Sequence, residues 1–232
     1  MRRLLRWLFW YPLLLALSAL VLLQIWFVVH IAYWGGHDPE TTAFMRARLE
    51  ILREDDPAAR LSHKWVPYAR ISGQLKRAVV ASEDAKFMSH WGFDLEAIEK
   101  ARERNLREGE IVHGASTITQ QLAKNLFLSG ERTWWRKAQE AAIAVMLETV
   151  LTKHRILEIY LNVIEWGEGV FGAEAAARYH FGVSAANLTP EQAARLAAMI
   201  PSPRQYGAGR ITPYLAQRTA TILARMSSAR VP

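Results

Sequence analysis

The sequence of 232 residues contains no cysteine. This absence excludes disulfide bonds, thiol catalysis and cysteine-ligated iron–sulfur clusters. Low-complexity tracts and long internal repeats are also missing. No stretch alternates polar and apolar residues for long enough to indicate a β-strand, so the sequence predicts helices and no sheet.

The composition is that of a folded chain with an anionic partner. Hydrophobic residues make up 51%, charged residues 22%, and there are nine tryptophans, which together support a packed core. The net charge of +7 favours nucleic acid, acidic phospholipid headgroups or a phosphorylated substrate as partner. No zinc-ligand spacing and no paired aromatic RNA signature accompany the charge, so nucleic acid is the least favoured of the three.

The amino-terminal segment has the length and composition of a membrane span. No charged residue occurs from Trp7 to Val29. Three arginines precede this run, whereas the first acidic residue is Asp38, so we expect the amino terminus inside and the rest of the chain outside. A cleaved signal peptide is the alternative, but its apolar core would be shorter and would end in small residues rather than in Trp26 and Phe27.

Four regions follow from these features. We expect a cytoplasmic amino terminus over residues 1–6, a transmembrane anchor over 7–34, a membrane-proximal helix and linker over 35–60, and one all-helical domain over 61–232. The glycine-rich stretch around Gly169 is predicted to be a loop. Helix starts are predicted from capping residues at Asp38, Ser72, Asp94, Ser116, Thr133 and Thr189, and a last helix is expected from about Pro213.

Glu83 is the first candidate for chemistry. It follows the apolar residues Val79 and Val80 by one helical turn. A carboxylate at the end of an apolar helix loses water, which raises its pKa and suits it to general base catalysis. A solvated last turn, with Asp94 only capping the next helix, is the alternative that the spacing leaves open. His90, taken alone, is typical of a structural hydrogen-bonding residue.

A second cluster, from Gly114 to Asn125, combines hydroxyl, amide and ammonium groups. If the segment is helical, Thr117, Gln121 and Lys124 share one face. Such a face suits sugar hydroxyls and phosphate oxygens, and the positive end of the helix would add attraction for an anion. An ordinary amphipathic helix explains the pattern equally well.

A third cluster gathers three cations one helical turn before a carboxylate. Arg132, Arg136 and Lys137 are suited to binding a pyrophosphate. Glu140 would form a simple helix-surface ion pair in the alternative interpretation. Because the stripe that carries Glu140 becomes apolar at Ile143, we expect the carboxylate to be half buried.

Four motifs occur in a fixed order: Glu-Asp-x-x-Phe-x-x-His-x-Gly at 83–92, Gly-x-Ser-Thr-Ile-Thr-Gln-Gln-x-x-Lys-Asn at 114–125, Arg-Lys-x-x-Glu at 136–140, and Ile-Leu-Glu-x-Tyr-Leu-Asn at 156–162. Together they resemble the peptidoglycan glycosyltransferase family, which includes the transglycosylase domain of class A penicillin-binding proteins. Ala115 departs from the glycine that many relatives carry. No Ser-x-x-Lys occurs, so the chain resembles the monofunctional, biosynthetic branch without a transpeptidase.

The resemblance implies a lysozyme-like, all-α fold and the polymerisation of lipid II into glycan strands. It implies inversion at MurNAc C1 and release of undecaprenyl pyrophosphate, with Glu83 as general base and Glu140 as a second acidic residue whose role it leaves open. Substrate contacts are implied for Thr117, Gln121, Lys124, Arg132, Arg136 and Lys137. Supporting roles are implied for Asp84, Phe87, His90, Ser116 and Asn125.

The implied partners are lipid II, the growing glycan strand and the membrane, but not nucleic acid. Division or elongation proteins stay an open option. The reaction requires no cofactor and no metal ligand is assigned, although a divalent cation, Mg²⁺ or Mn²⁺, at the pyrophosphate stays open. The implied location is the cytoplasmic (inner) membrane, with the catalytic domain on the periplasmic side.

Two alternatives come from other functional classes. A lytic enzyme on a lysozyme-like fold would cleave glycan with one main glutamate, but it would not need the cation cluster or the anchor. An inactive membrane scaffold would not need either acidic residue, yet Glu83 and Glu140 are both present.

Overall fold

Helices dominate the computed structural model, which describes residues 2–108, 115–128, 133–206 and 211–232. Gly114 and Arg132 therefore lie outside the described residues. The helices are α1 (Arg2–Trp34), α2 (Ala43–Asp55), α3 (Gly73–Glu83), α4 (Leu95–Glu108), α5 (Ile118–Phe127), α6 (Trp134–Val150), α7 (Lys153–Val163), α8 (Ala173–Phe181), α9 (Pro190–Met199) and α10 (Pro213–Arg225). The strands are β1 (Ser62–His63), β2 (Glu165–Gly167) and β3 (Val170–Phe171).

Side-chain caps confirm four of the predicted helix starts. In each case the capping side chain accepts a hydrogen bond from a backbone amide of the first turn, which satisfies a donor that the helix itself leaves unpaired. These residues are Ser72, Asp94, Thr133 and Thr189. The last helix begins at Pro213, as predicted.

Two predicted starts are wrong by one or a few residues. Helix α2 begins after Thr42 rather than after Asp38, and α5 begins after Thr117 rather than after Ser116. The Asp38 carboxylate, in the segment before α2, accepts instead from Arg155 Nη2 at 2.9 Å. Each threonine accepts a bond from the amide three residues later, which is the usual N-cap geometry.

The expectation of no sheet is wrong for one small region. Strand β3 pairs parallel with β1 and antiparallel with β2, with an irregularity between Glu165 and Gly167. The glycine-rich stretch that was predicted as a loop is therefore a hairpin. Strands of two or three residues are too short to produce a detectable alternation, and this is why the sequence did not reveal them.

The core brings the end of α3 to α5 at the candidate site, where Gln121 of α5 contacts Glu83. Helix α3 packs against α9 and α10, while α5 packs against α2, α6 and α7. Leu75 and Val79 of α3 and Leu122 of α5 are fully buried. Burial of these side chains stabilises the fold and fixes the ends of α3 and α5.

Helix α1 is both a candidate membrane span and a part of the domain's packing. The segment Trp10–Trp34 is long and apolar enough to cross a membrane. Phe27 and Ile31, near its end, are only 5% and 0% exposed. The ring of Phe27 meets the ring of Phe127 of α5 edge to face, with centroids 5.0 Å apart. The last part of α1 therefore packs against α5 and α6.

Candidate active site

Glu83 ends α3, the helix whose buried face forms part of the core. Val79 and Val80, one turn earlier, are 0% exposed, and the Glu83 side chain itself is 9% exposed. The expectation of a desolvated carboxylate at the end of an apolar helix is confirmed.

Three polar groups contact the Glu83 carboxylate. Ser82 Oγ donates to Oε1 at 3.0 Å, and Gln121 Nε2 donates to Oε2 at 3.0 Å. Arg218 Nη2 lies 3.6 Å from Oε1. Burial raises the pKa of Glu83, and the hydrogen bonds from Gln121 and Ser82 and the charge of Arg218 lower it in part. The group is therefore a stronger base than an exposed glutamate and is still stabilised in its ionised form.

Asp84 connects the end of α3 to the start of α5. Its Oδ1 accepts from His90 Nε2 at 2.8 Å, and its Oδ2 accepts from the Ile118 backbone amide at 3.1 Å. The Phe87 side chain, in the turn between Asp84 and His90, is fully buried. These contacts connect the residue next to Glu83 to the start of α5, and the supporting role of Asp84, Phe87 and His90 stays a prediction.

Thr117 caps α5 and is almost fully buried. Its hydroxyl accepts from the Gln120 amide at 3.2 Å and donates to the Gly92 carbonyl at 2.6 Å. Gly92 has a φ of +80°, a conformation that favours glycine. One lone pair of the hydroxyl is left over, so contact between Thr117 and a hydroxyl of the substrate stays a prediction.

Gln121 lies between Glu83 and a buried tyrosine. Its Oε1 accepts from Tyr160 Oη at 2.7 Å while its Nε2 donates to Glu83. One N–H and one lone pair of the amide remain for substrate. One turn later, Lys124 Nζ lies 5.9 Å from the ring centre of Phe44, and Asn125 Nδ2 donates to the Gln121 carbonyl at 2.8 Å.

Glu140 is nearly buried between two cations of α6. Its side chain is 4% exposed and accepts from Arg136 Nη1 at 2.9 Å, and from Lys137 Nζ. The expectation of a half-buried carboxylate is confirmed. Lys137 Nζ also donates to Ser116 Oγ at 3.3 Å, so Ser116 joins this cluster to the start of α5.

A cleft of about 330 Å³ opens beside Glu83. It lies between the end of α3, one face of α4 and the residues before α5. The polar and charged residues that line it are Ser82, Glu83, Asp84, Asp94, Lys100, Arg104, Ser116 and Thr117. Ser116 and Thr117 of the second cluster thus line the same cleft as Glu83, the predicted base. The Arg136–Glu140 pair is connected to it through Lys137 and Ser116.

Four residues at or near the site were missed by the sequence reasoning. Lys100 and Arg104 line the cleft from α4, Arg218 contacts Glu83, and Tyr160 contacts Gln121. Tyr160 was assigned to the core, where its ring does lie. A signal existed for Arg218, because it shares a helical stripe with Leu215 and Ile222, which are buried.

No group of three or more histidine, aspartate or glutamate side chains in the described ranges is arranged to hold a metal ion. Both carboxylate oxygens of Glu140 are already engaged by Arg136 and Lys137. The described residues therefore do not fit a metal held by the protein alone.

Comparison with known proteins covers nearly the whole chain. Residues 51–227 match the family model described as Transglycosylase. A protein of Methylobacillus flagellatus named biosynthetic peptidoglycan transglycosylase is 58% identical over 225 residues, which cover 97% of this chain and 98% of that one. Proteins of the same name from Nitrosospira multiformis and Herminiimonas arsenicoxydans are each 56% identical, over 98% and 100% of this chain and over 98% and 99% of their own lengths.

Proposed function

This chain belongs to the transglycosylase family, and we propose that it is a peptidoglycan glycosyltransferase that polymerises lipid II into linear glycan strands. No Ser-x-x-Lys motif of a transpeptidase occurs in the sequence, so glycosyl transfer is the single activity assigned to it. The observation that carries the assignment at the site is the buried Glu83 carboxylate, which lines a cleft and is held by hydrogen bonds from Ser82 and Gln121.

Glu83 acts as the general base. It accepts the proton of the 4-hydroxyl of the acceptor GlcNAc as that oxygen attacks C1 of the donor MurNAc. The bond from C1 to the pyrophosphate oxygen breaks, the configuration at C1 inverts from α to β, and undecaprenyl pyrophosphate leaves with the electron pair. The raised pKa of Glu83 favours this proton transfer, because a base with a pKa nearer to the working pH accepts a proton more readily.

The cations of α5 and α6 stabilise the leaving pyrophosphate. Negative charge on this group grows in the transition state, so fixed cations lower the barrier more than they stabilise the bound substrate. Arg136 and Lys137 are held by Glu140, which gives the acidic residue a positioning role in this proposal. Lys124 and Arg132 are the further cations proposed to contact the pyrophosphate.

The remaining predicted residues either contact the sugars or support the site. Gln121 retains one free N–H for a substrate oxygen while it holds Glu83. Thr117 is proposed to contact substrate as well. Support is assigned to Asp84, Phe87, His90, Ser116 and Asn125, each of which is bonded to or packed among the residues that hold Glu83 or α5.

The anchor keeps this site at the bilayer surface, where the lipid tail of the substrate stays. We assign residues 1–6 to the cytoplasm, 7–34 to the span, 35–60 to the membrane-proximal segment and 61–232 to the catalytic domain. The arginines before the span favour an inside amino terminus in the cytoplasmic membrane and a catalytic domain on the periplasmic face. Lipid II and the growing strand are the proposed partners. Proteins of cell division or elongation stay an open option.

The positive charge at the pyrophosphate comes from side chains in this proposal. A Mg²⁺ or Mn²⁺ ion would have to be bound mainly by the phosphate oxygens, because Glu140 is engaged by Arg136 and Lys137. We expect polymerisation to continue when divalent ions are removed with EDTA. Loss of activity that Mg²⁺ or Mn²⁺ restores would show that an ion takes part.

Polymerisation of fluorescently labelled lipid II by the detergent-solubilised full chain tests the proposed function. The wild type should form long glycan strands, whereas Glu83→Gln should form none. Glu191→Gln, which changes an exposed carboxylate of α9, is the matched control and should polymerise normally. Strand formation by Glu83→Gln at the wild-type rate would remove Glu83 from the role of base.

The same assay decides between functional classes. Shortening of preformed glycan without synthesis would indicate the lytic alternative. Neither synthesis nor cleavage by the wild type would indicate a scaffold. The family match and the names of the relatives favour synthesis over both.

A further inference from the structure

We propose that Tyr160 is a positioning residue for glycosyl transfer, because its hydroxyl fixes the Gln121 amide so that the N–H side, and not the carbonyl oxygen, faces Glu83. The inference rests on the proposed role of Glu83 as general base. It concerns a residue that lies behind the cleft and is not assigned any contact with substrate.

Three side chains from three helices form one hydrogen-bonded row. Tyr160 Oη of α7 donates to Gln121 Oε1 of α5 at 2.7 Å, and Gln121 Nε2 donates to Glu83 Oε2 of α3 at 3.0 Å. Tyr160 is 0% exposed, so its hydroxyl donates within the protein rather than to water. The row is therefore a fixed link between the core and the carboxylate.

The orientation of a glutamine amide is set by its neighbours, since its oxygen and nitrogen ends have nearly the same shape. If the Gln121 amide turned over, its carbonyl oxygen would face the Glu83 carboxylate and the two would repel each other. Tyr160 prevents this by giving the carbonyl oxygen a donor on the far side. With the amide turned over, the buried hydroxyl proton of Tyr160 would have no acceptor on Gln121, and the cost of leaving it unpaired favours the observed orientation.

Tyr160 remains a donor over the whole working pH range. Burial raises the pKa of Tyr160 well above its usual value, and the nearby charges of Glu83 and Asp84 raise it further. The hydroxyl therefore keeps its proton when Glu83 is ionised. This is the state in which the orientation of Gln121 matters for catalysis.

Other charged and polar groups also affect the pKa of Glu83, and a test of Tyr160 has to leave them unchanged. Ser82 donates to it from α3, Arg218 approaches it from α10, and Asp84 next to it adds negative charge. Lys100 and Arg104 of α4 line the same cleft. All of these are unchanged when only the hydroxyl of Tyr160 is removed.

Tyr160→Phe removes the hydroxyl and keeps the ring in the core. Gln121 then loses the donor that holds its carbonyl oxygen, and its hydrogen bond to Glu83 weakens, which raises the pKa of the carboxyl. Because the base must be ionised, we expect the acid limb of the pH–rate profile for lipid II polymerisation to move to higher pH. At neutral pH the rate should fall about 3- to 10-fold, as expected for one weakened hydrogen bond. An acid limb in the wild-type position would overturn the proposal.

A double variant separates positioning from simple packing. In a Gln121→Leu background there is no amide to orient, so Tyr160→Phe should cause no further shift of the acid limb. Tyr68→Phe is the matched control, because Tyr68 is also buried and donates to a backbone oxygen, that of Pro232, at 2.8 Å. It should leave the profile unchanged. Independent, multiplying effects of the Tyr160 and Gln121 changes would contradict the proposal.

A second measurement does not depend on turnover. The ¹³C chemical shift of the Glu83 carboxyl, assigned by its absence in Glu83→Gln, can be titrated in the full-length wild type and in Tyr160→Phe. An upward shift of the titration midpoint in the variant supports the orienting role, and an unchanged midpoint overturns it. If the wild type failed to polymerise lipid II, the proposed function would be wrong. The titration would still show whether the Tyr160 hydroxyl affects the pKa of Glu83.

Discussion

Arg218 Nη2 lies 3.6 Å from Oε1 of Glu83 and also donates to Ser82 Oγ at 3.2 Å. The arginine belongs to α10 and the glutamate to α3, so a helix near the carboxyl terminus contributes to the charge balance at the proposed base. The side chain of Arg218 is 31% exposed, which weakens its effect by solvent screening but does not remove it.

Arg218→Ala is expected to shift the pH dependence of polymerisation. The positive charge of Arg218 lowers the pKa of Glu83, so its removal raises that pKa. More of the base is then protonated at mildly acidic pH, and the acid limb of the rate profile should move to higher pH. Arg225→Ala, an exposed arginine of the same helix, is the control. Identical profiles for both variants would mean that Arg218 does not act on the base.

Glu83 could be predicted from the sequence because its environment is largely local. The apolar residues before it belong to the same helix, so helical spacing allows a carboxylate at the end of a buried face but leaves a solvated last turn open. Asp84 and His90 follow within the same motif, and the four motifs together single out Glu83. Desolvation, the largest contribution to the raised pKa, was therefore one of two open alternatives that the structure decides.

The partners of Glu83 from distant helices could not be predicted in the same way. Arg218 and Tyr160 meet Glu83 and Gln121 only because α10 and α7 pack around α3 and α5. Spacing in the sequence can place Arg218 on a buried stripe of its own helix, but it does not show which helix that stripe meets. The small sheet was missed for a different reason, because its strands are too short to show a period of two.

Glu83→Gln should stabilise the fold at neutral and higher pH even though it removes the proposed base. The pKa of Glu83 is raised in the folded state, so the folded chain binds more protons than the unfolded chain between the ordinary pKa of 4.5 and the raised value. Wild-type stability therefore falls as pH rises through this window. Each unit of pKa elevation corresponds to about 1.4 kcal/mol of unfolding free energy.

Thermal unfolding of the two proteins across a pH series checks this expectation. The gain in melting temperature of Glu83→Gln over the wild type should be small below pH 4.5 and should grow above it. A constant difference at all pH values would mean that the carboxyl is not perturbed by folding.

Arg136→Ala is expected to reduce polymerisation far more than it reduces stability. Its guanidinium is held against Glu140 at 2.9 Å and is proposed to stabilise the leaving pyrophosphate. Loss of one such group lowers the rate by roughly 10²-fold. Arg178→Ala, which breaks a helix ion pair of the same spacing with Glu174, is the control and should have little effect. Equal rates of lipid II polymerisation in both variants would exclude Arg136 from the pyrophosphate site.

Two amides connect the anchor to α6. Gln24 Nε2 donates to Gln139 Oε1 at 3.3 Å, and Gln139 Nε2 donates to Gln24 Oε1 at 3.0 Å. Gln24→Leu or Gln139→Leu alone should destabilise the full chain, because each leaves one amide unpaired in apolar surroundings. The double variant should recover much of the loss, with a coupling of about 0.6–2 kcal/mol. Unfolding in detergent measures all four proteins, and strictly additive losses would mean that the pair is not coupled.

Gly172→Ala should be much more damaging than Gly182→Ala, because the two glycines differ in backbone conformation and in the space around them. Gly182 is left-handed, with φ +69° and ψ 12°, where a side chain costs about 1–2 kcal/mol of backbone strain, whereas Gly172, with φ +81° and ψ 156°, has a conformation that is essentially restricted to glycine. At Gly182 nothing lies within 4 Å of an added Cβ, whereas at Gly172 the Asn162 carbonyl oxygen would be 2.6 Å away. We therefore expect Gly172→Ala to cost about 2–5 kcal/mol of unfolding free energy, since overpacking adds to the strain.

The difference in unfolding free energy between the two glycine variants also tests the structural role of Asn162. Its amide side chain binds both the N–H and the carbonyl of Val66, at 2.9 and 3.0 Å, and so attaches the chain after β1 to α7. A Cβ at Gly172 would push the Asn162 backbone and strain both of these bonds. Denaturant unfolding followed by circular dichroism should therefore show the large loss for Gly172→Ala alone. Equal losses for the two variants would mean that the hairpin can move away from α7 at little cost.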